Sequence, residues 1–195
     1  MDFDLRDLFR ARESHYTKFF GPFSEPVMHS TDVKIPHIDI YQFRPTDERP
    51  FWTLITGGMS NLRQPAVPDG VPPRAEILLY ASEPVGWMFN VLKGLAEMPF
   101  DDNTFLHWGH SVVNGMPMTA KPSLLTNFFF LAPCFESEDF DSLVIEGEEV
   151  SILWMVPITD AERDYKLEHG SNALRELFAE HQLPQVIDES RESLI

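Results

Sequence analysis

The sequence contains very little cysteine, few basic residues and no long apolar run. A single cysteine, Cys134, excludes an internal disulfide and favours a reducing compartment, and we interpret it as a small buried residue at a strand end. No segment approaches the roughly 20 apolar residues of a membrane span, and the N-terminus lacks the positive flank and apolar core of a signal peptide. We therefore expect a soluble, cytoplasmic protein that does not bind membranes.

The shortage of basic residues leaves a strongly negative chain. Fifteen Lys and Arg stand against 31 Asp and Glu, which gives a formal charge of −16, with acidic concentrations at residues 136–141 and 146–149. Such a field repels the phosphates of nucleic acids, so we expect no nucleic-acid partner. It would accelerate encounter with a basic protein, although carboxylates that merely keep a surface soluble explain the same composition.

Several catalytic and cofactor-binding motifs are also missing. The chain has no Gly-x-Gly-x-x-Gly, no phosphate-binding loop and no Gly-x-Ser-x-Gly nucleophile elbow, so neither nucleotide binding nor serine hydrolase chemistry is supported. His37 and Asp39 lie two apart in an alternating segment and could act as an acid and base, but no nucleophile accompanies them. We interpret them as a pair on a strand surface and expect no cofactor.

His107 and His110 form the one cluster that suggests an enzyme. Asp101 or Asp102 could add a carboxylate, which would make a metal-dependent hydrolase an alternative function. Two histidines three apart on an extended segment point to opposite faces, however, and no His-Glu-x-x-His motif or cysteine pair supplies further ligands. The pattern favours a non-enzymatic protein without a metal at these histidines.

The apolar pattern predicts an α+β fold with a mixed, mainly antiparallel sheet of about six strands flanked by helices. We expect one domain over residues 1–195, with an N-terminal helical extension at 1–22 and a core at 27–188. Strands are predicted near residues 35–43, 51–57, 74–81, 107–113, 124–132, 142–145 and 149–157, with an edge strand at 185–188. Helices are predicted near 4–20, 82–99, 159–169 and 171–184, the third opening with the capping-box spacing of Thr159 and Glu162.

A long loop follows the central predicted strand, and we expect it to contact a partner. Gly57 and Gly58 end the strand, several prolines limit the entropy lost on binding, and the loop exceeds the common length of connections. An apolar side chain with a polar rim is typical of a binding hot spot. The predicted contact residues are Met59, Asn61, Arg63 and Asp69.

An ordered set of short stretches resembles the suppressor of fused domain family over almost the whole chain. Leu54 to Leu62 with its Gly-Met-Ser, Trp108-Gly-His110, Phe130-Leu-Ala-Pro133 and Leu177 to Pro184 carry much of that resemblance. The resemblance implies a sandwich of sheet and helices and a protein-binding role. The chain is similar in length to the short bacterial members, which implies an immunity protein that neutralises a toxin, with a basic toxin domain as partner. A regulator that binds an extended peptide at a sheet edge is the alternative.

Overall fold

The computed structural model describes residues 5–29, 34–118, 123–133 and 135–195. Cys134 lies outside these residues, as do the first four residues of the chain. Within the described part, no helix is both long and apolar enough to cross a membrane.

The described residues form four α-helices and seven strands. The helices are α1 (Leu5–Phe20), α2 (Gly86–Asp101), α3 (Asp160–His169) and α4 (Ser171–Glu180). The strands are β1 (Asp39–Phe43), β2 (Trp52–Gly57), β3 (Arg74–Ala81), β4 (Ser111–Val113), β5 (Leu125–Leu131), β6 (Val144–Ile145) and β7 (Glu148–Thr159). The predicted α+β class is confirmed, with seven strands in place of about six.

The strands form one sheet in the order β1-β2-β3-β7-β5-β4, and β6 adds to β7. All neighbours pair antiparallel except β3 and β7, which run parallel. The strands β3 and β7 occupy the middle of the sheet, and almost all of their residues are buried. The predicted edge strand at 185–188 is reduced to a parallel bridge between Val186 and Tyr80.

Each face of the sheet carries its own core. One face packs α1, α4 and the segment around Phe140 over Ile55, Tyr80 and Ile152. The other packs α2 over Leu54, Leu79 and Leu153. Because side chains alternate along a strand, neighbours such as Leu54 and Ile55 supply opposite cores.

The helix boundaries follow local sequence signals. Thr159 and Glu162 form the predicted capping box, in which each side chain accepts a hydrogen bond from the other's backbone N–H. The helix α2 begins at Gly86, later than the predicted residue 82, because its N-cap Val85 is extended.

Candidate protein-binding surface

The loop after β2, residues 58–73, is organised around the carboxylate of Glu76 on β3. One carboxylate oxygen accepts hydrogen bonds from the Gly58 N–H (2.9 Å), the Ser60 N–H (3.0 Å) and the Ser60 hydroxyl (2.6 Å), and the other accepts from the Thr56 hydroxyl (2.6 Å). Glu76 is completely buried. The loop therefore starts at a fixed place because its first amides satisfy a charge that would otherwise be costly to bury.

The helix α1 supplies the cation for this carboxylate. Nη1 of Arg12 lies 3.6 Å from Glu76, and neither side chain is exposed. The same nitrogen donates to the side-chain oxygen of Asn61 at 2.8 Å. The helix that the sequence predicted as an extension is thus connected through Arg12 to the centre of the sheet.

The two glycines are required by close approaches. A Cβ on Gly57 would lie 2.4 Å from the Tyr41 ring and 3.0 Å from Nε of Arg12. Gly58 has a φ of +123°, and a Cβ there would lie 2.0 Å from the backbone oxygen of His37. The Gly-Gly pair is therefore explained by packing at this junction, and no ligand needs to be invoked for it.

The structure separates the four predicted contact residues. Met59 is 0% exposed and belongs to the core beneath α2, so its side chain offers no surface to a partner. Asn61 is half-buried, whereas Arg63 and Asp69 are exposed. Arg63 pairs with Glu148 at the start of β7 and not with Asp69. The accessible part of the predicted surface is therefore Arg63 and Asp69, with Leu62 exposed beside them.

A groove that the sequence analysis did not predict lies between the sheet and α4. We call it the Trp108 groove; it has a volume of about 790 Å³ and is lined by residues 108–110, by 131–133 at the end of β5, by Trp154, and by α4 residues including Ser171, Arg175 and Phe178. Three of the stretches that carried the family resemblance meet here. The lining of the groove is mainly apolar, as is usual for sites that bind a ligand or partner by burying apolar surface.

The rim of the groove is held rigidly. The Trp108 indole N–H donates to the Ile152 carbonyl (2.9 Å), and the Ser171 hydroxyl donates to the Gly109 carbonyl (2.8 Å). The Gly109 N–H donates to the Phe130 carbonyl at 2.7 Å. The Trp108 ring remains 38% exposed. A large aromatic side chain that is fixed yet accessible loses little conformational entropy on binding, which is typical of interface anchors.

The 58–73 loop and the Trp108 groove are connected through Gln64. Its side-chain amide donates to the Leu106 carbonyl (3.1 Å), and its side-chain oxygen accepts from the Leu106 N–H (2.8 Å). Leu106 is two residues before Trp108, so the loop and the groove rim are coupled by two buried hydrogen bonds.

Of the two histidines of the alternative enzyme, His110 lines the groove, whereas His107 directly precedes Trp108 outside the lining, and no carboxylate among the described residues pairs with either. Burial lowers the pKa of His107, and the neighbouring His110 lowers it further. Burial also lowers the pKa of His110, whose ring packs 4.9 Å from that of Phe105. Within the described part of the chain, the metal-ligating side chains that cluster are His29, His37 and Asp39, and neither His107 nor His110 joins them.

The acidic stretch 136–141 forms part of the surface near α1. It contains a 3-10 turn at Glu138–Ser142, with Asp139 and Asp141 exposed and Phe140 buried in the core. Glu136 is half-buried and accepts a hydrogen bond from the Tyr80 hydroxyl, and burial raises the pKa of this carboxyl. Asp139, Asp141 and the exposed Glu149 present negative charge to the solvent.

Comparison with known proteins gives this surface its context. The family model of the suppressor of fused protein (SUFU) matches residues 34–192. A protein named Immunity protein YqcF from Bacillus subtilis (strain 168) is 24% identical over 176 residues, which cover 90% of this chain and 91% of that protein.

Solved structures show the same fold. A putative SUFU homologue from Neisseria gonorrhoeae FA 1090 superposes with a TM-score of 0.76 at 20% identity, over 97% of this chain and 98% of that one. A chain of the Sufu-Fu complex gives 0.66 at 15% identity, over 95% of this chain and 91% of that one. Drosophila Suppressor of Fused gives 0.69 at 16% identity, but this chain spans only 51% of its length. The chain belongs to the suppressor of fused family.

Proposed function

We propose that this chain is an immunity-type protein, which binds a toxin domain and neutralises it without catalysing a reaction. The observation that carries the proposal is the Trp108 groove, a preformed apolar cleft whose rim presents an anchored aromatic ring. The relative named as an immunity protein supports the same role, since the match spans nearly all of both chains.

The groove supplies the apolar centre of the proposed interface. Trp108 would insert between partner side chains, and the half-buried Leu131 and the floor residue Phe178 would exclude water from the contact. Arg175 on α4 is exposed at the same groove and would bind a carboxylate or carbonyl of the partner. Neutralisation then follows from steric occlusion of the toxin.

The exposed part of the 58–73 loop would extend this interface. Arg63 and Asp69 give it polar groups at the rim, and the exposed Leu62 takes the apolar role that the sequence assigned to Met59. The side-chain amide of Asn61 is fixed by Arg12, so it contributes to the shape of the loop more than to binding. Of the four predicted residues, Arg63 and Asp69 would contact the partner directly, whereas Asn61 and the buried Met59 would support the loop from within.

Electrostatic attraction would accelerate the encounter. The chain carries a formal charge of −16, and a basic toxin domain would associate faster at low ionic strength than at high ionic strength. Arg175 is a cation in the groove itself, so this attraction would arise from carboxylates elsewhere on the molecule, such as Asp139, Asp141 and Glu149.

A peptide-binding regulator is the second candidate function, and the sheet edge favours it. The strand β4 is three residues long, ends the sheet and exposes Val113, so an extended peptide could add a strand beside it. One solved relative comes from the Sufu-Fu complex, in which a protein of this fold is assembled with a partner.

Co-expression tests the immunity proposal. The protein encoded beside this gene is expressed in a bacterial host alone and then together with this chain. The proposal predicts arrested growth in the first case and restored growth in the second. Restoration should fail with a Trp108→Ala, Arg175→Glu double variant that accumulates normally. A neighbouring protein that is harmless alone, or rescue that is equal for both forms, would contradict it.

A further inference from the structure

Three potential metal ligands converge at the edge of the sheet, away from the Trp108 groove. Nδ1 of His29 lies 2.9 Å from Oδ1 of Asp39, and Nε2 of His37 lies 3.2 Å from the same oxygen. All three ligand atoms lie within 4.8 Å of one another. The sequence predicts His37 and Asp39 as a pair on a strand surface, and the structure adds His29 beside them.

The convergence follows from strand geometry. Met28 and Ile40 exchange backbone hydrogen bonds of 3.2 and 3.1 Å, which sets His29 directly opposite Asp39. His37 precedes Asp39 by two residues, a spacing that places both side chains on the same side of an extended chain. His29 from across the strand pair and His37 from the same strand segment therefore both reach Asp39 with the backbone as it stands.

We propose that His29, His37 and Asp39 bind one Zn²⁺ ion, which fastens the segment before β1 to the edge of the sheet. Two imidazole nitrogens and one carboxylate oxygen form a donor set that zinc prefers. Zinc bonds of about 2.0–2.2 Å in tetrahedral geometry hold ligand atoms roughly 3.3 Å apart, close to the two separations observed.

The site is accessible from solvent and lies in a negatively charged molecule. The side chains of His29 and His37 are 68% and 43% exposed, whereas that of Asp39 is only 6% exposed. Asp39 thus acts as the fixed ligand at the base, and the two histidines close over the ion. Three protein ligands leave a fourth position for water or for a group of a partner protein.

Zinc at this site would also stabilise the start of the 58–73 loop. The backbone oxygen of His37 lies 2.0 Å from the position that a Cβ on Gly58 would occupy, so His37 and Gly58 are in tight contact. Fixing the His37 side chain restrains this junction. Binding to the folded state alone raises the thermal midpoint with zinc concentration.

Calorimetric titration of the chelator-treated full chain with zinc chloride tests the proposal. We expect one equivalent to bind and the thermal midpoint to rise with zinc. His29→Ala and His37→Ala should each weaken zinc binding by at least about 10-fold. Replacing a residue that only hydrogen-bonds to a metal ligand already costs about that much, and these two residues are proposed as ligands themselves. Asp39→Asn should do the same, since an amide oxygen replaces the carboxylate.

Two controls make the result specific. The exposed His181 at the end of α4 is replaced by alanine and should bind zinc as the unmodified chain does. A His107→Ala, His110→Ala variant should also retain zinc. Loss of binding in that double variant would assign the metal to His107 and His110, and an unmodified chain that binds no zinc would overturn the proposal outright. Midpoints measured without zinc show that the His29→Ala and His37→Ala variants are folded.

Discussion

The guanidinium of Arg12 on the first helix lies 3.6 Å from the carboxylate of Glu76 on the third strand, and both side chains are completely buried. This ion pair is surrounded by the amides and hydroxyls of the loop after β2. It connects α1, the sheet and the start of the 58–73 loop at one point. The N-terminal helix is therefore part of the same structural unit as the loop.

Removing one partner of this pair should be strongly destabilising. Glu76→Ala leaves the Arg12 guanidinium buried without its counter-charge, for which we expect a loss of about 3–5 kcal/mol in the free energy of unfolding. Urea unfolding followed by circular dichroism measures it. Arg63→Ala is the control, because the exposed Arg63–Glu148 pair is worth about 0–1 kcal/mol. Equal losses in the two variants would contradict the assignment.

The close approach at Gly58 gives a second prediction. Gly58→Ala combines a positive φ with a Cβ placed against the backbone oxygen of His37, which cannot move away as a side chain would. We expect a lower thermal midpoint or loss of soluble protein. Gly70→Ala is matched to it, since Gly70 has a φ of +83° and open space around it, and should cost only about 1–2 kcal/mol. Similar midpoints for both variants would show that the contact with His37 is unimportant.

Met59 should act on stability more than on binding. Its side chain is completely buried beneath α2, so Met59→Ala should reduce the free energy of unfolding by about 2–5 kcal/mol through lost contacts and a cavity. Met116→Ala provides the comparison, because Met116 is 64% exposed and its replacement should change stability by no more than about 0.5 kcal/mol. A Met59→Ala protein of unchanged stability would show that the side chain lies at the surface in solution.

The C-terminal segment gives a pH prediction through Glu162. Burial of the Glu162 carboxylate favours a raised pKa. This effect is outweighed by hydrogen bonds from Arg191, from the Thr159 N–H and from the Leu194 N–H. The pKa of Glu162 is therefore held below its ordinary value. A carboxyl with a lowered pKa in the folded state stabilises the fold above its unfolded pKa of about 4.3, and this contribution is lost as the pH falls through the folded value.

We therefore expect Glu162→Gln to lose stability near neutral pH and to show a shallower decline on acidification. Urea unfolding at pH 7 and at a series of pH values below about 4.3 measures both changes, because the glutamine cannot titrate in that acidic range as the glutamate does. The exposed Glu180 on α4, changed to glutamine, should keep the pH dependence of the unmodified chain. A Glu162→Gln variant with the same slope would refute the linkage.

Much of the fold could be predicted from the sequence because its signals are local. The strand β3 coincides with the predicted residues 74–81, and the capping box of Thr159 and Glu162 opens α3 as its spacing indicated. The predicted strand at 35–43 is shorter in the structure, where it begins at Asp39 after the proline at position 36, whose missing N–H cannot join a ladder. The register and strand order depend on long-range pairing that one sequence does not reveal.

The candidate binding surface was less predictable for the same reason. Trp108, Leu131 and Phe178 line one groove only because β5 pairs with β7 and α4 packs on that face. The sequence predicts the strands and the helix that contain them, but not that these elements meet in one groove. Met59 was expected in the loop surface, but the short 3-10 turn at Met59–Asn61 directs it into the core. Burial of a single apolar side chain in a loop leaves no periodic signal to detect.

The most direct test of the binding account is calorimetric titration of the neighbouring gene product into the unmodified chain and into Trp108→Ala. The account predicts a one-to-one complex for the unmodified chain and at least about 30-fold weaker binding for Trp108→Ala, the loss of about 2 kcal/mol that defines a hot spot. The thermal midpoint of the variant should show that it is folded. A folded Trp108→Ala protein with full affinity would contradict the assignment of the Trp108 groove as the binding site.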